Sequence, residues 1–530
     1  MLFRSSEDNP VSVNPDWSVT GGIGTIDGEG LLSVTTTTST DDPVTGTVVA
    51  TVGSKVAVAN VTVVVGAIAD IVILPPENRD VNAIPAGAQV QFEAAGVDEF
   101  GNRGEETRIV LPGTVTWDVI GSIGDIDSNG LFTAALGAGV SSASGKITAD
   151  WSTYHTELDV TVTSSAWTFL VYLDGDNSLD SYASMDMQEM EYGLAQGEGP
   201  VNVIVQWDRI GDTGTWRYEV QPDTNLSVLN STLVQTMAEQ NMGSPTTLAN
   251  FITWGKENYP AENYCLVLWD HGSGWDYRTV QEIPVRAICQ DSTNGGDWLN
   301  LPELKSALAT AGDVEILDMD ACVMGFAEVC YAMKDYAEYA VVSEDEVPAY
   351  GLPYDTVIEW MLDNPTATPE QLASAIVDLY ADSYNPGASN RTLSAIDLSQ
   401  MTSLASAVDQ LANALIARFP NDQGSMAAAL QGAEDFNTST ATCDLYDLAD
   451  KLETISDAGV QSALDNVRSA VSNAVINEIH STFDSIDAEG LALYVLNNGS
   501  AYNDDYDLLD WSSATHWDEF LQLTNWQSQF

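Results

Sequence analysis

The segment EILDMDACVMGFAEV, residues 315–329, combines an apolar run, a sharp turn and the beginning of a helix. We predict a buried strand that ends near Asp320 and a helix that follows directly. Cys322 lies at the turn between them. This position, at the carboxyl end of a strand and close to a helix N-terminus, favours a thiolate, because the N–H groups of the helix end stabilise a negative charge.

A second segment ends in a similar way. NYCLVLWDHGSGW, residues 263–275, is an apolar run followed by His271 and a glycine-rich turn. A cysteine nucleophile needs an acid–base partner, usually a histidine, and the chain contains only four histidines. The sequence therefore predicts a catalytic pair at the ends of two strands. A buried structural cysteine with a strand-end histidine is the alternative interpretation.

The charge of the chain excludes several classes of protein. Its 530 residues include 17 Lys+Arg and 78 Asp+Glu, for a net charge of -61. So few basic residues cannot neutralise the phosphates of a nucleic acid or the charge of an anionic lipid surface. We therefore predict no nucleic-acid partner and no docking to anionic lipid. We interpret the acidic surface as a halophilic one that keeps the protein soluble in high salt. The chain lacks a run of about 18 apolar residues, so we predict no membrane-spanning helix. The five cysteines are scattered and predict neither a disulfide framework nor a zinc site.

The first 164 residues contain an internal repeat. WSVTGGIGTIDGEGL at 17–31 recurs as WDVIGSIGDIDSNGL at 117–131, with nine of fifteen positions identical. Alternating apolar residues and glycine-containing turns around both copies predict strands and almost no helix. We predict two β-sandwich modules, 1–66 and 67–164, which resemble bacterial immunoglobulin-like domains. Because only 16 residues precede the first tryptophan, we expect the first module to be partial and the chain to be a fragment of something longer.

Beyond a predicted linker at 163–166 the pattern changes. Apolar runs such as 167–173 and 201–207 alternate with amphipathic segments, which predicts a doubly wound, mostly parallel sheet. Helical patterns dominate from 369 to about 474. We therefore predict an α/β domain with a helical C-terminal extension, and a multidomain chain as a whole.

Four motifs in this second part, in this order, carry a family resemblance. They are YLDGDNSLD (172–180), LWDHGSGW (268–275), DACVMG (320–325) and TLSAIDL (392–398). Together they resemble the clostripain family of cysteine peptidases, and the resemblance covers 167–530. It implies the caspase-like α/β/α sandwich that this family shares with caspases and gingipains.

The resemblance also implies a mechanism. Cys322 would be the nucleophile and His271 the acid–base residue of a Cys–His pair, with no third member required. Attack on a peptide carbonyl would give a thioester that water then hydrolyses. The backbone N–H groups of Gly272 and Cys322 would form the oxyanion hole, and the glycine would let the substrate approach closely.

Members of the family typically cleave after Arg or Lys, using acidic groups in the pocket. Asp320 matches one such group, although an aspartate that caps the following helix is the alternative. The loop that supplies a second acid in many members has Tyr350 before its glycine here, which departs from the family pattern. Asp345 or Glu346 is a candidate substitute for that acid, and an ordinary surface acid is the alternative for both. The candidate substrate-binding residues are Asp320, Asp345 and Tyr350.

The resemblance also suggests expectations about activation and about metal binding. Some relatives are activated by cleavage between the histidine and cysteine strands. Arg286 is the candidate self-cleavage site here, and an ordinary loop arginine is the alternative. We predict no required cofactor and no metal site, and leave calcium open because relatives depend on it. The loop 174–180 fails the EF-hand pattern, since Leu179 and Met185 stand where glycine and glutamate are needed. We predict a strand–helix turn there.

Two functions from different classes remain. The first is a secreted or surface-displayed monomeric endopeptidase that acts on protein or peptide substrates, with β modules as spacers. The second is a non-catalytic extracellular adhesion protein whose β modules bind glycan or protein. Hydrolysis through Ser273 is a poor third, because DHGSG lacks the Gly-x-Ser-x-Gly elbow.

Overall fold

The structure is a computed structural model of the chain. It divides into two compact units, Met1–Ser164 and Ser165–Phe530. The described residues are 14–34, 44–63, 67–76, 81–98, 111–136, 140, 142–197, 199–275, 287–384, 391–436, 441–481, 487–496 and 501–523.

The described part of the first unit consists of mostly antiparallel strands, turns and irregular segments. Its strands are β1 (Asp16–Thr20), β2 (Thr25–Ile26), β3 (Leu32–Ser33), β4 (Val44–Val52), β5 (Lys55–Val63), β6 (Ile68–Leu74), β7 (Ile84–Pro85), β8 (Gln89–Gln91), β9 (Glu93–Asp98), β10 (Thr116–Ile120), β11 (Gly124–Ile126), β12 (Leu131–Ala134), β13 (Ser142–Trp151) and β14 (Tyr154–Thr163). Strands β10, β13, β14 and β7 form one sheet, and β11, β12 and β8 another. Side chains from both sheets share one apolar core.

The sequence repeat is also a structural repeat. Strand β1 pairs with β4 as β10 pairs with β13. In the first copy, the Leu31 N–H donates to a carboxylate oxygen of Asp27 at 2.8 Å. In the second, the Leu131 N–H donates to Asp127 at 3.0 Å. The two aspartates therefore close the same turn, which explains why this residue type recurs after 100 positions.

The second unit alternates strands and helices. Its strands are β15 (Ser165–Gly175), β16 (Val201–Arg209), β17 (Trp216–Glu219), β18 (Thr232–Thr236), β19 (Ala261–Trp269), β20 (Ile288–Asp291), β21 (Asp297–Leu299), β22 (Val314–Asp320), β23 (Ala337–Val342), β24 (Leu393–Asp397), β25 (Thr442–Asp444), β26 (Val475–Ile479) and β27 (Ala492–Tyr494). Its helices are α1 (Asp180–Leu194), α2 (Pro245–Asn258), α3 (Leu301–Ala311), α4 (Ala327–Met333), α5 (Tyr354–Asp363), α6 (Pro369–Ser383), α7 (Met401–Gly432), α8 (Leu445–Lys451), α9 (Ala458–Ala474), α10 (Asp510–Ala514) and α11 (Trp517–Leu521).

One large sheet organises this unit. Within the described residues its order is β18-β17-β16-β15-β19-β22-β23-β24-β26. The five central strands, β16 to β23 in that order, are parallel, and the two strands at each edge are antiparallel. The prediction of a mostly parallel sheet is confirmed. Because parallel strands end at the same edge, residues that follow β15, β19 and β22 are brought together.

Helices cover both faces of the sheet. Along β15, Leu170 and Tyr172 belong to one core with α2, α3, α4 and α7, whereas Phe169 and Val171 belong to a second core with α1, α5 and α6. This alternation is the period-two pattern of a strand buried on both sides. The predicted α/β/α arrangement is therefore present.

Helices α6 to α9 match the predicted helical region from 369 to about 474. Strand β26 was not predicted, and it extends the large sheet at one edge. Strand β27 pairs with β25 in a separate two-stranded sheet. Within the described residues, every helix falls short of the length or apolar character that crossing a bilayer requires.

Candidate active site

The two predicted catalytic residues follow adjacent parallel strands. In the register of β19 and β22, Trp269 is the partner of Asp320. His271 and Cys322 each come two residues after that pair, and the Asp270 N–H bonds the Asp320 carbonyl at 3.4 Å. The register therefore brings the histidine turn and the cysteine turn to the same edge of the sheet.

Gly272 holds the two turns in contact. A Cβ atom at this position would collide with the carbonyl oxygen of Cys322 and lie 3.0 Å from the Cβ of Ala321. The sequence interpretation, in which the glycine makes room for a substrate, is incomplete. The backbone of the nucleophile turn itself occupies the space that any larger residue would need.

The turn that carries Cys322 is held by the segment after β23. Val323 has a φ of 57°, a left-handed conformation that a β-branched residue rarely adopts. Its N–H bonds the carbonyl of Asp345 at 3.0 Å, and the Gly325 N–H bonds the carbonyl of Ser343 at 2.7 Å. Asp345 is itself buried, and its side chain accepts from the Glu346 N–H at 2.7 Å. The structure thus gives Asp345 a role in supporting this turn.

The thiol environment differs from the sequence prediction. Helix α4 begins at Ala327, after an intervening turn, so Cys322 does not lie at a helix N-terminus. Burial raises the pKa of Cys322 to about 11, although the Val347 N–H, 3.3 Å from Sγ, opposes this effect. The predicted increase in ionised thiol was therefore wrong for this arrangement. At neutral pH the thiol keeps its proton.

All five cysteines lie in described parts of the chain, and Cys322 differs from the others in exposure. It is partly exposed, whereas Cys265, Cys289, Cys330 and Cys443 are buried. Burial raises the pKa of each of these four thiols, that of Cys330 to about 12. Cys322 is thus the one cysteine that a substrate could reach.

His271 is positioned by the turn after β15. The hydroxyl of Ser178 lies 2.9 Å from its Nε2. Burial lowers the pKa of His271, so the imidazole is neutral at pH 7 and able to accept a proton. Ser178 lies inside the 172–180 motif, but its contact with the histidine was not predicted.

A buried hydrogen-bond network extends from this contact. The Asn177 side chain donates to Asp270 at 2.7 Å and to the carbonyl of Gln290 at 3.1 Å. The Gln290 N–H bonds the other oxygen of Asp270. Asp270 precedes His271 directly, so the network fixes the backbone on which the histidine stands.

The candidate oxyanion donors are available. Among the described residues, neither the Gly272 N–H nor the Cys322 N–H donates a hydrogen bond. The Ser273 N–H, by contrast, bonds the carbonyl of Ala287 at 2.9 Å. The Ser273 hydroxyl is buried and has no partner in the described part of the chain, so nothing there activates it as a nucleophile.

Asp320 lies beneath the loop that follows β23. Its carboxylate accepts from the Tyr354 hydroxyl at 2.9 Å and from the Leu352 N–H at 3.1 Å. It does not cap α4, whose preceding residue makes no side-chain cap. Burial raises its pKa to about 6. Tyr350 in the same loop is 59% exposed and packs edge-on against Tyr182.

One group of acids near this edge was missed. Asp176 after β15, Glu239 after β18 and Asp291 at the end of β20 each offer an oxygen, and these oxygens lie within 4.8 Å of one another. The EF-hand pattern is a local one and concerns only the residues around Asp176. Ligands from three distant segments give no spacing signal. Arg286, the candidate cleavage site, lies outside the described residues.

Comparisons with known proteins agree with the motifs. The model of the clostripain family matches residues 171–526, and the chain belongs to this family. Clostripain from Hathewaya histolytica is 29% identical over 293 residues, which cover 46% of this chain and 55% of that protein. The chain thus spans about half the length of this curated relative.

Solved structures of C11 cysteine proteases have a fold similar to that of the second unit. A secreted C11 cysteine protease from Bacteroides thetaiotaomicron, in complex with an irreversible peptide inhibitor, has a TM-score of 0.53 and 25% identity. An inactive zymogen C11 protease from Parabacteroides distasonis has a TM-score of 0.54 and 22% identity. Each comparison covers 67% of this chain and 99% of the other.

Proposed function

We propose that this protein is a cysteine endopeptidase in which Cys322 is the nucleophile and His271 the acid–base residue. One observation carries the proposal. The register of β19 and β22 and the close contact at Gly272 bring the cysteine and histidine turns together. Family membership and the likeness to cysteine protease structures support the same conclusion.

The protonation states suit a mechanism in which the proton moves during attack. A neutral His271 takes the proton from the Cys322 thiol as sulfur attacks the substrate carbonyl. The resulting imidazolium protonates the leaving amine, which releases it and leaves a thioester. His271 then removes a proton from water, which hydrolyses the thioester. The N–H groups of Gly272 and Cys322 would stabilise the oxyanion, and such donors are worth about 3 kcal/mol each.

We further propose cleavage after Arg or Lys. Asp320 supplies negative charge beneath the loop beside the thiol, and the exposed ring of Tyr350 offers a surface for the aliphatic part of the side chain. Burial and the nearby Asp320 raise the pKa of Asp186 well above its usual value, so Asp320 is the acid to which the negative charge is assigned. Asp345 is assigned to support of the nucleophile turn rather than to contact with substrate.

The remaining parts of the proposal concern context. The β modules act as immunoglobulin-like spacers, which the shared core of two sheets supports. The protein is extracellular, as the secreted relative from Bacteroides thetaiotaomicron suggests, and it works as a monomer. Cleavage at Arg286 would activate it, and sequencing the new N-terminus of an incubated sample would identify that cut.

The test is hydrolysis of fluorogenic peptides with Arg, Lys, Asp or Leu before the scissile bond. Wild type and Cys322→Ala are measured at low and molar salt, with and without calcium. We expect cleavage after Arg or Lys, with a loss of more than about 1,000-fold in the variant.

Ser273→Ala is the matched control. It removes a neighbouring hydroxyl and should keep activity, because Ser273 takes no part in the mechanism. Cleavage after other residues alone would retain the Cys–His pair and reject the basic preference. Absence of cleavage by intact and Arg286-nicked protein would favour a non-catalytic adhesion protein.

A further inference from the structure

A second site lies at the same edge of the large sheet, on the histidine side. Asp176, Glu239 and Asp291 converge there from three segments separated by more than 50 residues in sequence. Asp176 is fully buried. Asp291 is also fully buried, and its carboxylate accepts from the Met242 N–H at 2.8 Å and from the Asn294 N–H at 2.8 Å.

The cluster contains carboxylate oxygens that have no donor. Oδ1 of Asp176 is buried and, among the described residues, accepts no hydrogen bond. Both carboxylate oxygens of Glu239 are in the same state. Glu239 faces the carboxylate of Asp208. An ionised carboxylate is only an acceptor, so Asp208 in that form offers Glu239 no hydrogen-bond donor. Asp174, fully buried, also has an oxygen without a donor.

Among the described residues, no side-chain cation compensates for these charges. In the described part of the chain, no lysine or arginine forms an ion pair with Asp176, Glu239 or Asp291. The nearby Arg209 is paired with Asp180 at 2.9 Å. Buried carboxylates without a counter-charge are costly, and proteins normally pair them or use them to coordinate a metal.

We propose that Asp176, Glu239 and Asp291 bind one divalent cation, and that this cation is calcium. The ligands are all carboxylate oxygens, which suit a hard cation and not zinc. Two oxygens on opposite sides of a calcium ion lie about 4.6–5.2 Å apart, and the three oxygens here fit within that span. Magnesium usually depends on phosphates or several waters and is less often held by a protein cage of this kind.

The site is connected to the histidine by a short path. Asp176 is followed by Asn177 and Ser178, which contact Asp270 and His271 respectively. Asp291 follows Gln290, whose backbone bonds both Asn177 and Asp270. A bound cation would therefore fix the position of His271. This consequence rests on the proposed function, whereas cation binding itself does not.

The experiment uses full-length Cys322→Ala, which cannot digest itself. Calcium binding is measured by titration calorimetry after chelation, and thermal unfolding is recorded with calcium or magnesium at constant ionic strength. We expect one tight calcium per molecule and a melting temperature several degrees higher with calcium, by mass action. Magnesium should bind at least about tenfold more weakly.

Glu239→Gln and Asp176→Asn test the site, and Glu257→Gln, an exposed acid in α2, is the matched control. Both site variants should lose the calcium shift, while the control keeps it. Without calcium, Glu239→Gln should melt at or above the parent temperature, because one repulsive charge is gone. Since Glu239 is partly exposed, this variant remains informative even if Asp176→Asn misfolds.

Two results would overturn the proposal. One is an equal calcium shift in the parent, the control and Glu239→Gln, which would indicate general screening of a charge of -61. The other is an equal shift with magnesium or with sodium at matched ionic strength. A protein that binds calcium at this site yet cleaves no peptide would reject only the proposed function.

Discussion

The two sides of the candidate active site deal with buried acids in different ways. On the cysteine side, Asp320 is satisfied by neutral donors, the Tyr354 hydroxyl and the Leu352 N–H. On the histidine side, Asp176 and Glu239 keep oxygens without a donor in the described part of the chain. A carboxylate that accepts hydrogen bonds from neutral groups of the protein needs no further partner. A carboxylate without donors needs a partner from solution, so only the histidine side should respond to cations.

The largest effect is expected where the two sides meet. Gly272→Ala would force a methyl group against the Cys322 carbonyl oxygen. Relief requires the two turns to separate, and small displacements of catalytic groups are costly. We expect activity to fall at least about 100-fold and unfolding free energy to fall by about 3 kcal/mol, measured by peptide hydrolysis and urea unfolding.

Gly424→Ala in α7 is the control for that substitution. A Cβ there meets nothing within 4 Å, so stability should stay constant or rise by about 1 kcal/mol, as alanine favours helix. Gly272→Ala with near-normal activity would contradict the close packing of the two turns.

A smaller, pH-dependent effect is expected on the cysteine side. Burial raises the pKa of Asp320 from 3.8 to about 6. Burial therefore disfavours the ionised form of Asp320 in the folded protein. The favourable contribution of the protonated carboxyl to folding stability is complete below about pH 4 and is lost as the pH rises through about 6. Two pKa units correspond to about 3 kcal/mol. Asp320→Asn, which cannot ionise, should gain stability relative to wild type by up to that amount between pH 4 and pH 8.

Urea unfolding at several pH values, in the Cys322→Ala background, measures this difference. Asp313→Asn, which removes an exposed acid, is the matched control. If Asp320→Asn and wild type differ by a constant amount at every pH, Asp320 is not the titrating group. Calcium should not alter the result, because this acid already has its donors.

The smallest effect is expected at Ser178. Ser178→Ala removes the hydroxyl that contacts Nε2 of His271. We expect kcat to fall about tenfold, equivalent to about 1.4 kcal/mol, with little change in KM, because the hydroxyl orients the histidine and does not bind substrate. Ser178→Thr, which keeps a hydroxyl, should recover most of the activity. A change in KM alone would reject the positioning role.

Much of the fold followed from the sequence because it depends on local patterns. The apolar runs of β15, β19 and β22 predicted parallel strands, and parallel strands share an edge, so Cys322 and His271 could be placed together. The turn at Asp27 recurred at Asp127 and could be recognised by spacing alone.

The features that could not be predicted depend on which side chains are buried. In a chain with 78 acidic residues, the sequence does not indicate which of those residues are buried. In α1 the apolar side chain of Met185 is 40% exposed, whereas Asp186 beside it is buried and accepts from Trp269 at 2.7 Å. The high pKa of Cys322 arises from burial, which the Val347 N–H only partly opposes. The site at Asp176 needs ligands from three segments, which only the tertiary structure assembles.

The uneven burial of the five cysteines makes the protein suitable for selective chemical labelling. Only Cys322 is partly exposed, so an electrophilic dye should modify one position per folded molecule without removal of the other thiols. Counting the attached dye would then give the concentration of correctly folded sites in a preparation. Because the labelled sulfur lies under the loop at Val347, the dye's emission would also report movement of that loop.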